Sequence, residues 1–167
     1  HYDIYLDISR EKKRFHGKTV VIGEAQEELV KLNQKYLKIT SVRVDQKKAD
    51  FNYNDKDEVI NIEAGKVGKM KIEVDFEGKL TDTMMGIYPS YYEVDGEKKQ
   101  LIGTQFETTF ARQAFPCVDE PEAKATFALA IKFDEKPGES IISNQPEEKF
   151  KEGVHYFKPT LRMSSYL

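Results

Sequence analysis

Tryptophan is absent from this chain of 167 residues, and cysteine occurs once, as Cys117. A single thiol excludes a disulfide within the chain and fits a reducing compartment, so we expect a cytoplasmic location. Long hydrophobic runs are also missing. The most apolar stretch, residues 125–131, is far shorter than the roughly 20 residues that a membrane-spanning helix needs. The sequence therefore predicts neither a disulfide framework nor a membrane-embedded protein.

Histidine is scarce as well, since the chain has only His1, His16 and His155. No two of them lie four residues apart. The chain therefore has no His-Glu-x-x-His motif, which would place two zinc ligands and a general base on one face of a helix. We expect no metal ligands and no catalytic residues within this chain.

An excess of positive charge is missing too. The chain has 26 basic and 29 acidic residues, with a net charge of −3, and the two signs are interspersed. Proteins that bind nucleic acids neutralise phosphates with a basic patch or stripe, which this composition does not provide. The sequence therefore predicts no nucleic-acid partner.

Alternation of apolar and polar residues is abundant. In residues 71–77, Ile72, Val74 and Phe76 alternate with charged residues, and residues 2–8 alternate in a similar way. Further candidate strands are 15–23, 39–45, 49–53, 57–63, 87–94, 99–109, 123–133, 139–143 and 154–158. Short strands separated by turns at intervals of about 8–12 residues predict an all-β fold, a sandwich or an open barrel of mostly antiparallel strands. No repeat or flexible linker interrupts the pattern, so we expect a single domain over residues 1–167.

For two segments a helix is an alternative prediction. Residues 24–36 contain good helix formers and place Leu29, Leu32 and Tyr36 at helical spacing, which favours a helix. The alternative is a charged loop followed by a strand at residues 29–33. A short helix or turn is also expected around residues 111–115 or 119–123.

A polar pair stands near the end of the candidate strand 99–109. Gln105 and Glu107 are two residues apart, so an extended strand would place both side chains on one face and Phe106 on the other. A carboxylate and an amide oxygen can together bind a cation, and the protonated α-amine of a peptide is a natural candidate. Spacing alone favours the simpler alternative, a solvated polar face.

The residues around this pair form a distinctive series of short stretches. In chain order they are Gly86-Ile87-Tyr88-Pro89-Ser90-Tyr91-Tyr92, Thr104-Gln105-Phe106-Glu107, Ala111-Arg112-Gln113-Ala114-Phe115-Pro116-Cys117, Asp119-Glu120-Pro121, Lys124-Ala125-Thr126-Phe127, Ile142-Ser143-Asn144-Gln145-Pro146 and Met163-Ser164-Ser165-Tyr166-Leu167. The series resembles the N-terminal domain of the zinc aminopeptidases of the aminopeptidase N family, in their bacterial, cytoplasmic form. The resemblance covers nearly the whole chain, its motifs are highly specific, and it favours the strand at residues 29–33.

This resemblance implies a fold and a function. In the family, the domain is a β-rich saddle that packs against a thermolysin-like catalytic domain, which carries the zinc, and the whole enzyme removes N-terminal residues from peptides. The Gln-x-Glu segment reaches into the active site. The resemblance thus implies that Glu107 anchors the α-amine of the substrate and that Gln105 lines the pocket for its first residue.

The missing motifs qualify this implication. The chain lacks both His-Glu-x-x-His and the family's Gly-x-Met-Glu-Asn motif, and both of its ends look cut. We therefore expect a fragment that is inactive by itself and whose partner is its own catalytic domain. Two alternatives remain open: a non-peptidase scaffold or epoxide-hydrolase-like relative, and a stand-alone β-sandwich binding module.

Three further residues are expected to be structural. Arg112 is predicted to pair with Asp119 or Glu120 and to brace the turn. Cys117 lies between apolar neighbours without a nearby base, so we expect a small buried residue and not a nucleophile. Asp119 and Glu120 are adjacent and should face opposite ways, which makes a turn cap more plausible than a pair of catalytic carboxylates.

Overall fold

Strands dominate the computed structural model, which describes all residues from His1 to Leu167. The thirteen strands are β1 (Tyr2–Ser9), β2 (Arg14–Ala25), β3 (Leu29–Asn33), β4 (Lys38–Val44), β5 (Lys47–Lys48), β6 (Phe51–Asn54), β7 (Val59–Glu63), β8 (Gly68–Lys79), β9 (Gly86–Val94), β10 (Glu97–Gln105), β11 (Phe127–Phe133), β12 (Glu147–Lys151) and β13 (Val154–Phe157). The only helical segment is one 3₁₀ turn, Ala111–Gln113. The all-β prediction is confirmed.

The strands form three sheets. The largest has eight strands in the order β12-β13-β11-β1-β2-β8-β4-β5, and a three-stranded sheet, β3-β7-β6, and a two-stranded hairpin, β9–β10, complete the fold. All strand pairs are antiparallel except β1 and β11, which run parallel with Tyr2 opposite Phe127. No sheet closes on itself, because the largest one ends on β12 and β5. The arrangement is a sandwich and not a closed barrel.

Alternation along the central strands decides which face of the large sheet is buried. The buried positions of β1 and β8 are almost all apolar: Tyr2, Ile4, Leu6, Ile8, Met70, Ile72, Val74 and Phe76. The same core contains Leu32, Ile60 and Ile62 of the three-stranded sheet, none of them more than 1% exposed. Burying an apolar side chain of this size stabilises a fold by about 1.5–3 kcal/mol. One shared core therefore holds the large sheet and the three-stranded sheet together.

One close approach in the large sheet requires glycine. Gly78 of β8 lies directly opposite Phe15 of β2. A Cβ atom at position 78 would lie 2.3 Å from the Phe15 ring. Because Gly78 has no side chain, the Phe15 ring can lie against β8 and meet Phe76 edge-on, with 6.4 Å between ring centroids.

Residues 24–36 contain no helix, because Glu24 and Ala25 end β2 and Leu29–Asn33 form β3. β3 pairs antiparallel with β7 along its whole length. Leu32 is 1% exposed, whereas Leu29 and Tyr36 are 42% and 74% exposed, so the three residues do not form one apolar helix face. Pairing with β7 overrides the helix propensity of this segment. The preferred strand at residues 29–33 is confirmed.

The strand predictions need correction in several places, among them the start of β11, which is at Phe127 and not at residue 123. Residues 139–143 form no strand and belong to the connection between β11 and β12. Strand β12 was not predicted, because all five of its residues are exposed and its sequence has no buried face to alternate with. The strand predicted at 99–109 ends at Gln105.

Candidate functional site

The predicted polar pair does not lie on one strand. After Gln105 the chain turns at residues 106–110, called here the 106–110 turn. The N–H of Phe110 donates to the carbonyl oxygen of Phe106 at 2.9 Å and closes the turn. The prediction that Gln105 and Glu107 share a strand face is therefore wrong. The strand ends at Gln105 because its partner β9 begins opposite it, at Gly86, and Phe106 then packs inward and meets the Phe115 ring edge-on at 6.0 Å.

Both residues of the pair are nevertheless exposed to solvent. Gln105 is the last residue of β10, and Glu107 is the second residue of the 106–110 turn. Neither side chain has a hydrogen-bond or ion-pair partner within the chain. A carboxylate and an amide without internal partners retain their full hydrogen-bonding capacity for a ligand.

A series of aromatic contacts fixes this turn to the large sheet. Beyond Phe106, the Phe115 ring meets Phe127 at 6.4 Å, and Phe127 stacks on Tyr2 at 5.1 Å. The Tyr2 hydroxyl then accepts a hydrogen bond from the N–H of Val118 at 3.1 Å. Burial raises the pKa of Tyr2 to about 12, so the hydroxyl stays protonated at neutral pH. Gln105 and Glu107 are thus exposed, while the aromatic residues beneath them pack against the large sheet.

Gly86 lets the base of the β9–β10 hairpin pack closely against the 3₁₀ turn. Gly86 lies opposite Gln105 in the β9–β10 pair and has a φ of +72°. A Cβ atom there would approach the Cβ of Gln113 to 2.9 Å, in a backbone conformation that side chains rarely adopt. Glycine at this position therefore allows the 3₁₀ turn to pack against the strand end that carries Gln105.

Arg112 braces the segment after the 106–110 turn. Its Nε donates to Asp119 Oδ2 at 3.0 Å, and its backbone N–H donates to the same oxygen at 3.1 Å. Its Nη2 donates to the carbonyl oxygen of Asp119 at 3.1 Å. The predicted pairing of Arg112 with Asp119 is confirmed, and Glu120 is exposed and takes no part in it.

Asp119 has no accessible surface, and its carboxylate and its N–H are hydrogen-bonded within the chain. Its Oδ1 accepts a hydrogen bond from Ser165 Oγ at 2.7 Å, and its N–H donates to Asn33 Oδ1 at 3.0 Å. Asp119 therefore joins three other parts of the chain, Arg112 and Ser165 through its carboxylate and Asn33 through its backbone N–H. With Asp119 buried and Glu120 exposed, the prediction that they do not act as paired carboxylates fits the structure.

One member of this network was not predicted from the sequence. Arg112 Nη1 donates to Glu58 Oε2 at 3.1 Å, and Glu58 also pairs with Lys35. The hydrogen bond from Lys35, with a further contribution from Arg112, lowers the pKa of Glu58 below its ordinary value. Glu58 precedes β7 and is far from Arg112 in sequence, so no local pattern indicated the contact.

Cys117 is a structural residue, as predicted. It is completely buried, and its backbone N–H and carbonyl pair with those of Asn33 at 3.2 and 2.7 Å. Burial raises the pKa of the thiol well above its ordinary value. A buried thiol that stays protonated is a poor nucleophile.

An apolar cavity of about 290 Å³ lies beside Gln105. Residues of β1 and β11, including Leu6 and Ile131, form one part of its walls, and several residues between Lys158 and Leu167 form another. Gln105 and Phe106 form part of one wall, and residues 142–144 line the cavity from the β11–β12 connection. Glu107 is not among the lining residues, so the cavity and the exposed carboxylate are distinct features.

The donor set needed for zinc is not present. No cluster of three or more histidine, cysteine, aspartate or glutamate side chains has a metal-binding arrangement. The three histidines lie apart and each contacts its own carboxylate: His1 with Asp3, His16 with Asp7, and His155 with Glu147 and Glu135. These histidines and carboxylates do not fit a zinc site.

A comparison with known protein families identifies the family of this chain. The model of the peptidase M1 N-terminal domain matches residues 1–167. The chain belongs to this family. None of its elements has the length and apolar character of a membrane-spanning helix.

Relatives of known name support the assignment over the full chain. Aminopeptidase N of Lactobacillus delbrueckii subsp. lactis is 61% identical over 100% of this chain, and aminopeptidase N of Lactobacillus helveticus is 57% identical over 100% of it. Leucyl aminopeptidase of Saccharolobus solfataricus is 37% identical over 99% of the chain. The chain spans 20% of the length of both Lactobacillus proteins and 21% of the archaeal one.

Proposed function

We propose that this chain is the N-terminal domain of a zinc-dependent aminopeptidase and that it supplies the anchor for the α-amine of the peptide substrate. The family assignment and the aminopeptidase relatives support the reaction class. The observation that carries the anchor is the Glu107 carboxylate, which is exposed and unpartnered on a turn fixed from below.

The chemistry of the anchor follows from charge. The α-amine of a peptide has a pKa of about 8, so it is mostly an ammonium at neutral pH and can pair with a carboxylate. Such a pair is much stronger in a partly desolvated cleft than in water. Gln105, at the adjoining strand end, offers an amide oxygen as a second acceptor and lines the space for the first residue of the substrate.

Anchoring the amine also determines where a peptide is cut. When the ammonium is held at a fixed place, the first peptide bond is positioned for attack, and a large share of the barrier can be removed by this positioning. An internal segment of a peptide has no ammonium and would leave the carboxylate desolvated without a partner. Glu107 thus selects peptides with a free N-terminus.

The remaining parts of the reaction are assigned to the rest of the longer protein. We place the zinc, the general base and the packing partner in a catalytic domain outside this chain, and we place the enzyme in the cytoplasm. The isolated chain should then bind less than about 0.1 zinc per molecule and should not hydrolyse peptides, because it lacks His-Glu-x-x-His. Elemental analysis and a peptidase assay of the purified chain test this division. Stoichiometric zinc or measurable hydrolysis would contradict it.

The anchor is tested in the full-length protein with Glu107→Gln, which keeps the shape of the side chain and removes its charge. We expect kcat/KM for peptides with a free amine to fall by about 100-fold, the scale expected when one partner of a desolvated charge pair is lost. Glu120→Gln is the matched control, because Glu120 is also exposed and lies outside the Arg112 network.

The outcomes separate the two parts of the proposal. If the unmodified full-length protein does not hydrolyse peptides, the aminopeptidase assignment fails. If it does so and Glu107→Gln is as active as Glu120→Gln, the reaction class stands and the role of Glu107 is wrong.

A further inference from the structure

One imidazole holds both ends of the connection between β11 and β12, residues 134–146. Nδ1 of His155 lies 2.9 Å from Glu147 Oε2, and Nε2 lies 3.3 Å from Glu135 Oε1. Glu135 stands at the start of the connection, and Glu147 is the first residue of β12. The His155 side chain is 13% exposed and lies against Phe150, with 4.5 Å between ring centroids.

Carboxylates on both ring nitrogens match only one charge state of His155. A neutral imidazole has a single N–H, so it can donate to Glu147 or to Glu135 but not to both. An imidazolium donates to both. Burial lowers the pKa of His155, but the hydrogen bonds to Glu147 and Glu135 outweigh burial and raise the pKa above its ordinary value of 6.5.

No other charged group competes for His155. On β11 its neighbour across the sheet is the apolar Ile131, and Lys132 pairs with Asp7 at 3.2 Å. The basic residues of β12 are directed elsewhere, since Lys149 lies over the Tyr156 ring and Lys151 pairs with Glu152. Among the charged groups, Glu135 and Glu147 are thus the ones that contact His155, and their effect on its charge state opposes that of burial.

The two halves of the connection are held differently. In the first half, Arg10 donates two hydrogen bonds to the Glu139 carboxylate, at 2.8 and 2.6 Å. The hydrogen bond from Arg10 lowers the pKa of Glu139 to about 2, so this contact persists at neutral and mildly acidic pH. The second half, residues 140–146, has no such ion pair. It is tied at its far end by Glu147 and by a hydrogen bond from the N–H of Lys158 to the carbonyl oxygen of Pro146 at 3.1 Å.

The second half also borders the apolar cavity beside Gln105. Residues 142–144 line that cavity, and Ile142 is 87% exposed. Ile131, which lies directly across the sheet from His155, lines the same cavity. His155 is therefore one strand away from the cavity wall, and its partner Glu147 directly follows the segment that borders the cavity.

We propose that His155 is a pH-dependent clasp that holds residues 140–146 at the edge of the apolar cavity. Because the folded state favours the protonated imidazole, the stabilisation is complete below the ordinary pKa and is lost as pH rises through the raised one. Above that pH, one of the two hydrogen bonds is replaced by a lone pair facing a carboxylate, and the second half of the connection loosens. Access to the cavity then depends on pH.

Hydrogen–deuterium exchange with mass spectrometry on the full-length protein tests the clasp. The variants are His155→Gln and, as the matched control, His16→Gln, because His16 also lies near a carboxylate but is 64% exposed. Exchange is compared at about pH 5.5 and about pH 8, relative to unfolded peptides at the same pH. No N–H of residues 140–146 donates a hydrogen bond, so the amides that report on the clasp are the hydrogen-bonded ones that tie down the far end of the segment, those of β12, β13 and Lys158. We expect their protection to be about threefold to tenfold lower at the higher pH in the parent and in His16→Gln. Residues 134–139 should change little.

His155→Gln should remove the pH dependence and leave the amides of β12, β13 and Lys158 less protected at both values. A second variant, Glu135→Gln, keeps the imidazole and removes one carboxylate, so the midpoint of the transition should move to lower pH. The proposal is overturned if the parent shows no pH dependence in the amides of β12, β13 and Lys158, or if the dependence survives in His155→Gln. If His155→Gln does not fold, an unchanged midpoint in Glu135→Gln overturns it equally.

Discussion

The 106–110 turn and the segment that follows it, residues 111–119, are adjacent in the chain and use their polar groups in opposite ways. In the second segment, Asp119 is completely buried and both carboxylate oxygens accept hydrogen bonds from within the chain. In the turn, Glu107 is exposed and has no partner. The difference separates a carboxylate that maintains the fold from one that is free to bind a ligand.

The contrast also explains how the free carboxylate is kept in place. The Arg112 network and the aromatic contacts from Phe106 to Tyr2 lie on the core side of the turn. Packing of this kind fixes the backbone without using the outward-facing side chains. A functional group is most effective when its supporting residues are rigid and satisfied.

The largest effect on the fold is expected from Asp119→Ala. This change leaves the Arg112 guanidinium, which is only 13% exposed, without its main acceptor. Losing one partner of a buried ion pair destabilises a protein by about 3–5 kcal/mol. Urea unfolding followed by far-UV circular dichroism measures the change, since the chain has no tryptophan to report by fluorescence.

Two variants control this prediction. Asp119→Asn keeps the shape and one acceptor and should be less destabilising than Asp119→Ala. Glu120→Ala should stay within about 0.5 kcal/mol of the parent, as is usual for exposed positions. Equal losses for Asp119→Ala and Glu120→Ala would remove the distinction between the two neighbours.

A smaller, pH-dependent effect is expected from Glu58. Its pKa is lowered in the folded state, so its contribution is complete above the unfolded value of about 4.3 and is lost as pH falls through the folded one. The side chain is partly exposed, which limits the contribution to about 1 kcal/mol or less. Unfolding free energies between about pH 6 and pH 3 should fall less steeply for Glu58→Gln than for the parent. Identical slopes would show that Glu58 does not strengthen the network.

The sequence predicted the fold better than the local geometry of the site. Alternation identified most strands because one face of the large sheet is buried, and it missed β12 because that strand has no buried face. The Arg112–Asp119 pair could be predicted because the residues are close in sequence. Glu58 could not, since its contact depends on how β6 and β7 pack. The end of β10 at Gln105 is set by the place where its partner β9 begins, at Gly86, which the alternation along residues 99–109 does not indicate.

The most direct test of the account measures stability and activity together in one variant, Glu107→Ala of the full-length protein. A carboxylate without a partner in the chain contributes to the binding of a ligand and not to the stability of the fold. We therefore predict an unfolding free energy within about 0.5 kcal/mol of the parent, with kcat/KM for peptides with a free amine lowered by about 100-fold or more. A loss of stability above about 1 kcal/mol with unchanged kcat/KM would contradict the account and place Glu107 with Asp119 in the framework.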